Sequence, residues 1–272
     1  MLRFAAVLLE IWLLPLPAMA ARYPSYGTLQ TTKSDGVLNV VINNTYSTIN
    51  LFDMHVQSDL ANLIETLQAN DTDVRVVVFS KSVLPLYDTG FPDMLFPVAL
   101  LWNITQLPQA TIAVVEGRTR GIGNEFLMSC DMRFASTSPL RGAMYLSRLI
   151  GRGLTFEYVL SSADVDARTA ARVGWVNAAF DTSRELHQYV QALAARIALF
   201  PAAGIVATKT GINAVTRPSR DVLVQDAQNV IAALVPTPPV QDAFKRFLQV
   251  TRNQSIGPME LNYGAEVRRL FN

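Results

Sequence analysis

Residues 112–136 read Ile112-Ala-Val-Val-Glu-Gly-Arg-Thr-Arg-Gly-Ile-Gly-Asn-Glu-Phe-Leu-Met-Ser-Cys-Asp-Met-Arg-Phe-Ala-Ser136. The stretch opens on a short apolar, β-branched run, the composition of a buried strand. Gly121 and Gly123 then let the backbone turn tightly. The residues after the turn read as a helix with one acid, Glu125, in its first turn. The N–H groups at a helix start have no intrahelical acceptor, so they can receive developing negative charge. A carboxylate beside them is placed to move a proton. The same spacing also describes a plain helix-end carboxylate stabilised by the helix dipole, and taken alone it favours that reading.

Outward from this segment the pattern repeats. Val37 to Ile42, Asp73 to Phe79 and Thr111 to Val115 read as buried strands. Between the first two, Met54, Leu60, Leu63, Ile64 and Leu67 recur at helical spacing. Between the second and third come an irregular piece, 81–92, and a helical stretch from Pro97 to Leu107. Strand, helix and strand in alternation predict an α/β domain. After Ser136 helical patterns dominate: 144–160, 167–175, 184–200, 202–215, 219–234 and 240–250. The organisation read from this is a leader over 1–20, a core over 21–200 and a C-terminal helical region over 201–272 that serves helical packing or oligomerisation.

The chain has 272 residues, half of them hydrophobic, enough for one large domain or two small ones. With 23 Lys and Arg against 22 Asp and Glu, the net charge of +1 gives no basic surface for nucleic acid. Residues 1–20 combine Arg3, an apolar run and small residues at Ala18 and Ala20, the grammar of a secretory signal peptide. Glu10 runs against that grammar, and Pro15 with Pro17 disfavours a stable membrane span. Sequons at Asn43, Asn70, Asn103 and Asn253 also point outward. The single cysteine, Cys130, excludes an internal disulfide, points to a reducing compartment and reads as a small core side chain. Secretory and intracellular locations both stay open.

Several chemistries fall away. Gly121-Ile-Gly123 is not a dinucleotide fingerprint, because the third glycine position is Phe126 and the stretch about twenty residues on, around Met144, supplies no acidic ribose partner. No Gly-x-Ser-x-Gly elbow or Walker loop occurs. His55 and His187 lack metal-ligand spacing, so no metal site is expected. Arg118 and Arg120 could steer an anion to the turn, but read better as a solvated face.

The segment from Ala113 to Ser136 closely resembles the signature of the enoyl-CoA hydratase/isomerase (crotonase) family. Val76-Val-Val-Phe79 looks like that family's second strand. Tyr145-Leu-Ser-Arg-Leu-Ile-Gly-Arg-Gly153 is similar to its "RLxGRG" helix, and Asp166 to Asn177 matches the stretch leading into its C-terminal helices. The likeness runs in order from about residue 28 to about residue 250. It implies a spiral of ββα turns with a helical C-terminal region that builds homotrimers or hexamers. It also implies acyl-CoA substrates, with CoA as part of the substrate and no separate cofactor. Two backbone N–H groups would stabilise the thioester oxyanion. Carried over by position, Ile122 gives one donor, Glu125 matches the first family glutamate, and Gly121 and Gly123 keep the backbone approach open. The second donor falls in the loop around Tyr87 to Asp93, where Phe91 is the choice; its neighbour Pro92 has no N–H.

After Ser136 the chain departs from the family. Where the family reads like "Gly-Gln-Pro-Glu-Val … Gly-Leu-Ile-Pro-Gly-Gly-Gly", Thr137-Ser-Pro-Leu-Arg141 leads straight to Gly142. The second family glutamate goes with the missing strand and turn, and Glu157 lies at the wrong place to replace it. Divergence and a lost stretch of coding sequence both account for the gap; a transcript across the codons of Ser136 and Gly142 separates them. The resemblance thus implies an enzyme working with one glutamate or, alternatively, a non-catalytic protein of this fold that binds an acyl ligand or serves as an oligomeric partner.

Overall fold

The computed structural model describes residues 23–271 apart from 48, 70, 81–94, 137–144, 235, 253, 254 and 256, and omits the side chains of 95, 96, 231, 233 and 234. The proposed leader, the sequons at Asn70 and Asn253, Phe91 and the junction after Ser136 therefore lie outside the described residues.

One six-stranded sheet runs in sequence order: β1 (Leu29–Ser34), β2 (Val37–Ile42), β3 (Val76–Ser80), β4 (Ala110–Val115), β5 (Met132–Ser136) and β6 (Ala178–Phe180). β1 and β2 form an antiparallel hairpin pairing Ser34 with Val37, and every later neighbour is parallel. The expected alternation of strand and helix is therefore present, with α1 (Met54–Ala69) and α2 (Leu95–Gln106) in the predicted intervals. β5 and β6 are additions to the expected strands, and so is β1. Its signal is Asp35-Gly36, whose φ values of 48° and 76° make the two-residue turn that a tight hairpin needs.

The alternation of side chains along the strands builds three layers. Leu38, Val40, Ile42, Val77, Phe79, Ala113 and Val115 face a core shared with α1, α2 and α3 (Gly121–Ser129). Val76, Val78, Ile112, Val114 and Phe134 face Leu186, Val190 and Ala194 of α7 (Ser183–Ala198). Buried on both faces, β3 and β4 read as continuous apolar runs, as parallel central strands do. α7 starts on a capping box, Thr182 with Glu185, which satisfies two orphan donors reciprocally.

The helix expected over 144–160 is two helices, α4 (Leu146–Ile150) and α5 (Arg152–Ser161), parted at Gly151, whose φ of 81° a helix interior does not accept. α6 (Ala167–Val173) begins on the Asp166 side chain, which accepts from the Thr169 N–H, and ends at Gly174 with φ 87°. α8 (Ala202–Thr216), α9 (Arg220–Leu234) and α10 (Pro238–Val250) come next, as expected. Beyond them α11 (Pro258–Leu261), α12 (Tyr263–Glu266) and a 3₁₀ turn, Val267–Leu270, close with α10 around Phe247, Met259 and Leu270. Among the described residues no single helix is long and apolar enough to cross a membrane.

The hairpin is fastened by a buried carboxylate. Asp71 accepts from the Tyr23 hydroxyl at 2.6 Å and the Lys33 ammonium at 2.7 Å. Burial disfavours its charge, but the Lys33 and Tyr23 hydrogen bonds outweigh burial and hold the group below its ordinary value of 3.8. A lowered carboxylate pKa contributes stability that is present above the ordinary value and lost as pH falls through the folded one. Denaturant unfolding at about pH 5 and about pH 3 is expected to show a steeper acid loss for the native chain than for Asp71→Asn; parallel losses would remove Asp71 from the acid limb.

Candidate functional site

α3 leaves the C-terminal end of β4 through residues 116–120, and its local sequence explains the geometry. Gly121 sits at φ 48°, a left-handed conformation that glycine adopts without cost, and this turns the chain sharply into the helix. The Gly123 N–H bonds back to the Arg120 carbonyl at 3.1 Å. The Ile122 N–H lies in the first turn, where helix geometry offers no acceptor four residues back. The helix N-cap is Arg120, which makes no side-chain cap, and a guanidinium has no acceptor to offer these donors.

The structure therefore groups Gly121, Ile122, Gly123 and Glu125 at one end of α3. Glu125 is the fifth residue of the helix, just past the first turn in which the sequence pattern puts it. It is also 4% exposed. Both facts weigh against the simple capping reading, because a cap carboxylate works from the N-cap or first turn. Phe91 lies outside the described residues, so no second donor is placed beside them.

Packing fixes the helix. Phe126 meets Phe79 edge-on with ring centres 5.2 Å apart and lies 5.8 Å from Phe52. Asn124, fully buried, accepts from the Trp175 indole N–H at 3.2 Å, which joins α3 to the end of α6. Ser129 donates to the Glu125 carbonyl at 2.8 Å. Tyr145 is buried beside this face. Burial pushes its phenol up to about 12, the neighbouring Ser129 hydroxyl pulls it down, and the charge of Glu125 adds to the rise.

At its far end α3 is tied to the sheet through Asp131, whose carboxylate accepts from the Thr111 N–H at 2.8 Å and the Thr111 hydroxyl at 2.9 Å. Lys209 of α8 completes this contact at 2.8 Å. Cys130 is a core side chain, as expected; burial raises its thiol to about 12, which leaves no thiolate for chemistry. A cavity of about 740 Å³ opens at this same end, lined by Ser129, Tyr145, Leu149, Ile205 and Lys209 among others. Neither Ile122 nor Glu125 lines it.

The loop before α3 is held at both sides. Glu116 accepts from Ser183 and pairs with His187 at 3.0 Å, which gives His187 a structural role. Arg118 and Arg120 do not form the solvated face that the sequence suggests. Arg118 is half-buried, and Arg120 is 3% exposed because the C-terminal segment covers it. The Arg120 guanidinium donates to the Glu260 carbonyl at 2.6 Å and lies 3.5 Å from its carboxylate. A partner 140 positions away leaves no local signal. Glu157 is exposed on α5. Among the described residues no group of His, Cys, Asp and Glu could hold a metal ion.

No family model matches the chain. A solved structure from Streptomyces avermitilis, provisionally assigned as an enoyl-CoA hydratase, is 33% identical with a TM-score of 0.80, over 90% of this chain and 98% of that one. The short-chain-enoyl-CoA hydratase of Clostridium acetobutylicum is 27% identical over 157 residues, 53% of this chain and 60% of that protein. The mitochondrial Delta(3,5)-Delta(2,4)-dienoyl-CoA isomerase of Dictyostelium discoideum is 28% identical over 129 residues, 42% of this chain and 44% of that protein. The chain thus spans about half the length of the curated relatives it matches.

Proposed function

The chain belongs to the enoyl-CoA hydratase/isomerase (crotonase) family, and we propose that it acts on an acyl-CoA thioester through the Ile122 N–H and the Glu125 carboxylate. The observation that carries this reading is the buried carboxylate of Glu125 one turn beyond a glycine turn whose N–H groups meet no capping side chain. The thioester oxygen would sit at the Ile122 N–H, with Gly121 and Gly123 keeping the backbone approach open. The second donor is assigned to the stretch around Phe91. CoA enters as part of the substrate, and the working unit is a homotrimer or hexamer.

With one carboxylate a double-bond shift is the simpler chemistry. Glu125 takes a proton from carbon, the electron pair moves into the thioester carbonyl, and the enolate oxygen is held by the N–H donors. The proton then returns to the other end of the allylic system and the double bond moves, with no net gain or loss of atoms. Hydration asks more, because the same group must take a proton from water and deliver one to the α-carbon.

The second reading, an acyl-ligand binder or oligomeric partner without turnover, is favoured by the missing second glutamate. The test is turnover of 3-enoyl-CoA and 2-enoyl-CoA thioesters, with calorimetry on a saturated acyl-CoA. Conversion of the 3-enoyl substrate is the expected result. Heat of binding without conversion of either substrate selects the second reading, and no heat removes the acyl-CoA site altogether.

A further inference from the structure

We propose that Arg120 is a positioning residue that couples the C-terminal segment to the N-terminus of α3 and so fixes the direction of the Ile122 N–H; this rests on the reading of Ile122 as an oxyanion donor. Arg120 is the N-cap of α3, two residues before that donor. Arg120 is 3% exposed, and its guanidinium faces two carboxylates and an aromatic ring. One nitrogen donates to the Glu260 carbonyl at 2.6 Å and lies 3.5 Å from the carboxylate of Glu260, a residue 5% exposed. The other terminal nitrogen is 3.7 Å from Asp164, in the connection between α5 and α6. The Tyr263 ring centre lies 5.5 Å from the guanidinium carbon, within cation–π range.

These partners belong to one unit. Glu260 and Tyr263 sit in α11 and α12, which pack with α10 around Phe247, Met259 and Leu270. The Gly264 N–H also donates to Asp164 at 3.3 Å, so the Asp164 carboxylate is shared between the guanidinium and this segment. Burial raises the Glu260 carboxyl and Arg120 opposes the rise, as expected for a pair closed off from water. The choice of arginine has a second consequence. Asp, Asn or Ser at this N-cap would carry an acceptor to quench the helix N–H groups, whereas arginine carries none and fastens the helix from behind.

The test uses the full chain with Arg120→Met and Arg120→Lys. Amide deuterium exchange is followed over 117–125 and 257–266, and kcat and KM are measured per site, counted by acyl-CoA calorimetry. Arg120→Met is expected to raise exchange about tenfold in both stretches while β2, β3 and β4 keep their protection. Its kcat should fall about 10- to 100-fold with KM within about threefold, and lysine should recover part of the loss. Glu260→Gln, which keeps the carbonyl acceptor, should give the same pattern in weaker form and serves if Arg120→Met does not fold. Unchanged exchange at 117–125, or loss of protection spread evenly over the sheet, overturns the proposal. A wild-type chain that turns over no enoyl-CoA counts against the acyl-CoA reading, while the exchange pattern decides the coupling independently.

Discussion

Glu125→Gln is expected to lower enoyl-CoA turnover by about 10²- to 10⁴-fold, the range that a positioned proton-transfer group supplies. The substitution keeps the shape of the side chain and removes its basicity. Its neighbours on α3, Phe126 and Asn124, hold the helix through the Phe79 ring and the Trp175 indole, neither of which involves the carboxylate. Acyl-CoA binding should therefore stay within about threefold of the native chain, since the loss is confined to a proton transfer made in the transition state. The measurement is kcat alongside calorimetric affinity. Equal turnover in the two proteins would take Glu125 out of the mechanism, and equal loss of binding would make it a contact for the ligand instead.

Ile122→Pro carries the second large effect. Proline removes one backbone N–H and is tolerated in the first turn of a helix, where that N–H has no intrahelical acceptor. A lost oxyanion donor costs about 10²- to 10³-fold in kcat, or about 2.7–4 kcal/mol of barrier. Ile122→Val keeps the N–H and nearly all of the half-buried side chain, so it should retain activity within about threefold. Thermal unfolding of both variants separates a lost donor from a lost fold. If the valine and proline variants have the same kcat, the Ile122 N–H takes no part.

How much of this could be read from the chain depends on distance along it. β2 falls on the residues predicted because Val37 to Ile42 carries its own β-branched signal, and β4 does so to within one residue for the same reason. β1 escaped because Leu29 to Ser34 has one apolar residue in six; only the Asp-Gly turn could have found it. Gly151 hid inside an apolar period and broke one expected helix into two. At the site, Gly121, Ile122, Gly123 and Glu125 were legible as a local constellation backed by a family likeness. Arg120 was not, because a charged residue next to a glycine turn reads as solvated until Glu260 and Tyr263 fold over it. The Trp175 to Asn124 bond is of the same kind, spanning 51 positions with no periodic signature.

α3 is fastened at both extremities, by Arg120 to Glu260 at one and by Asp131 to Thr111 and Lys209 at the other. A helix held this way cannot slip by a residue or unwind a turn without parting a charged contact. Its register is therefore settled before any ligand arrives. For the proposed acyl-CoA ligand this means meeting α3 already in its final register, with little ordering entropy of that helix left to charge against affinity. It also means that a change in the far C-terminus reaches residues 121–125 through the contact of Arg120 with Glu260.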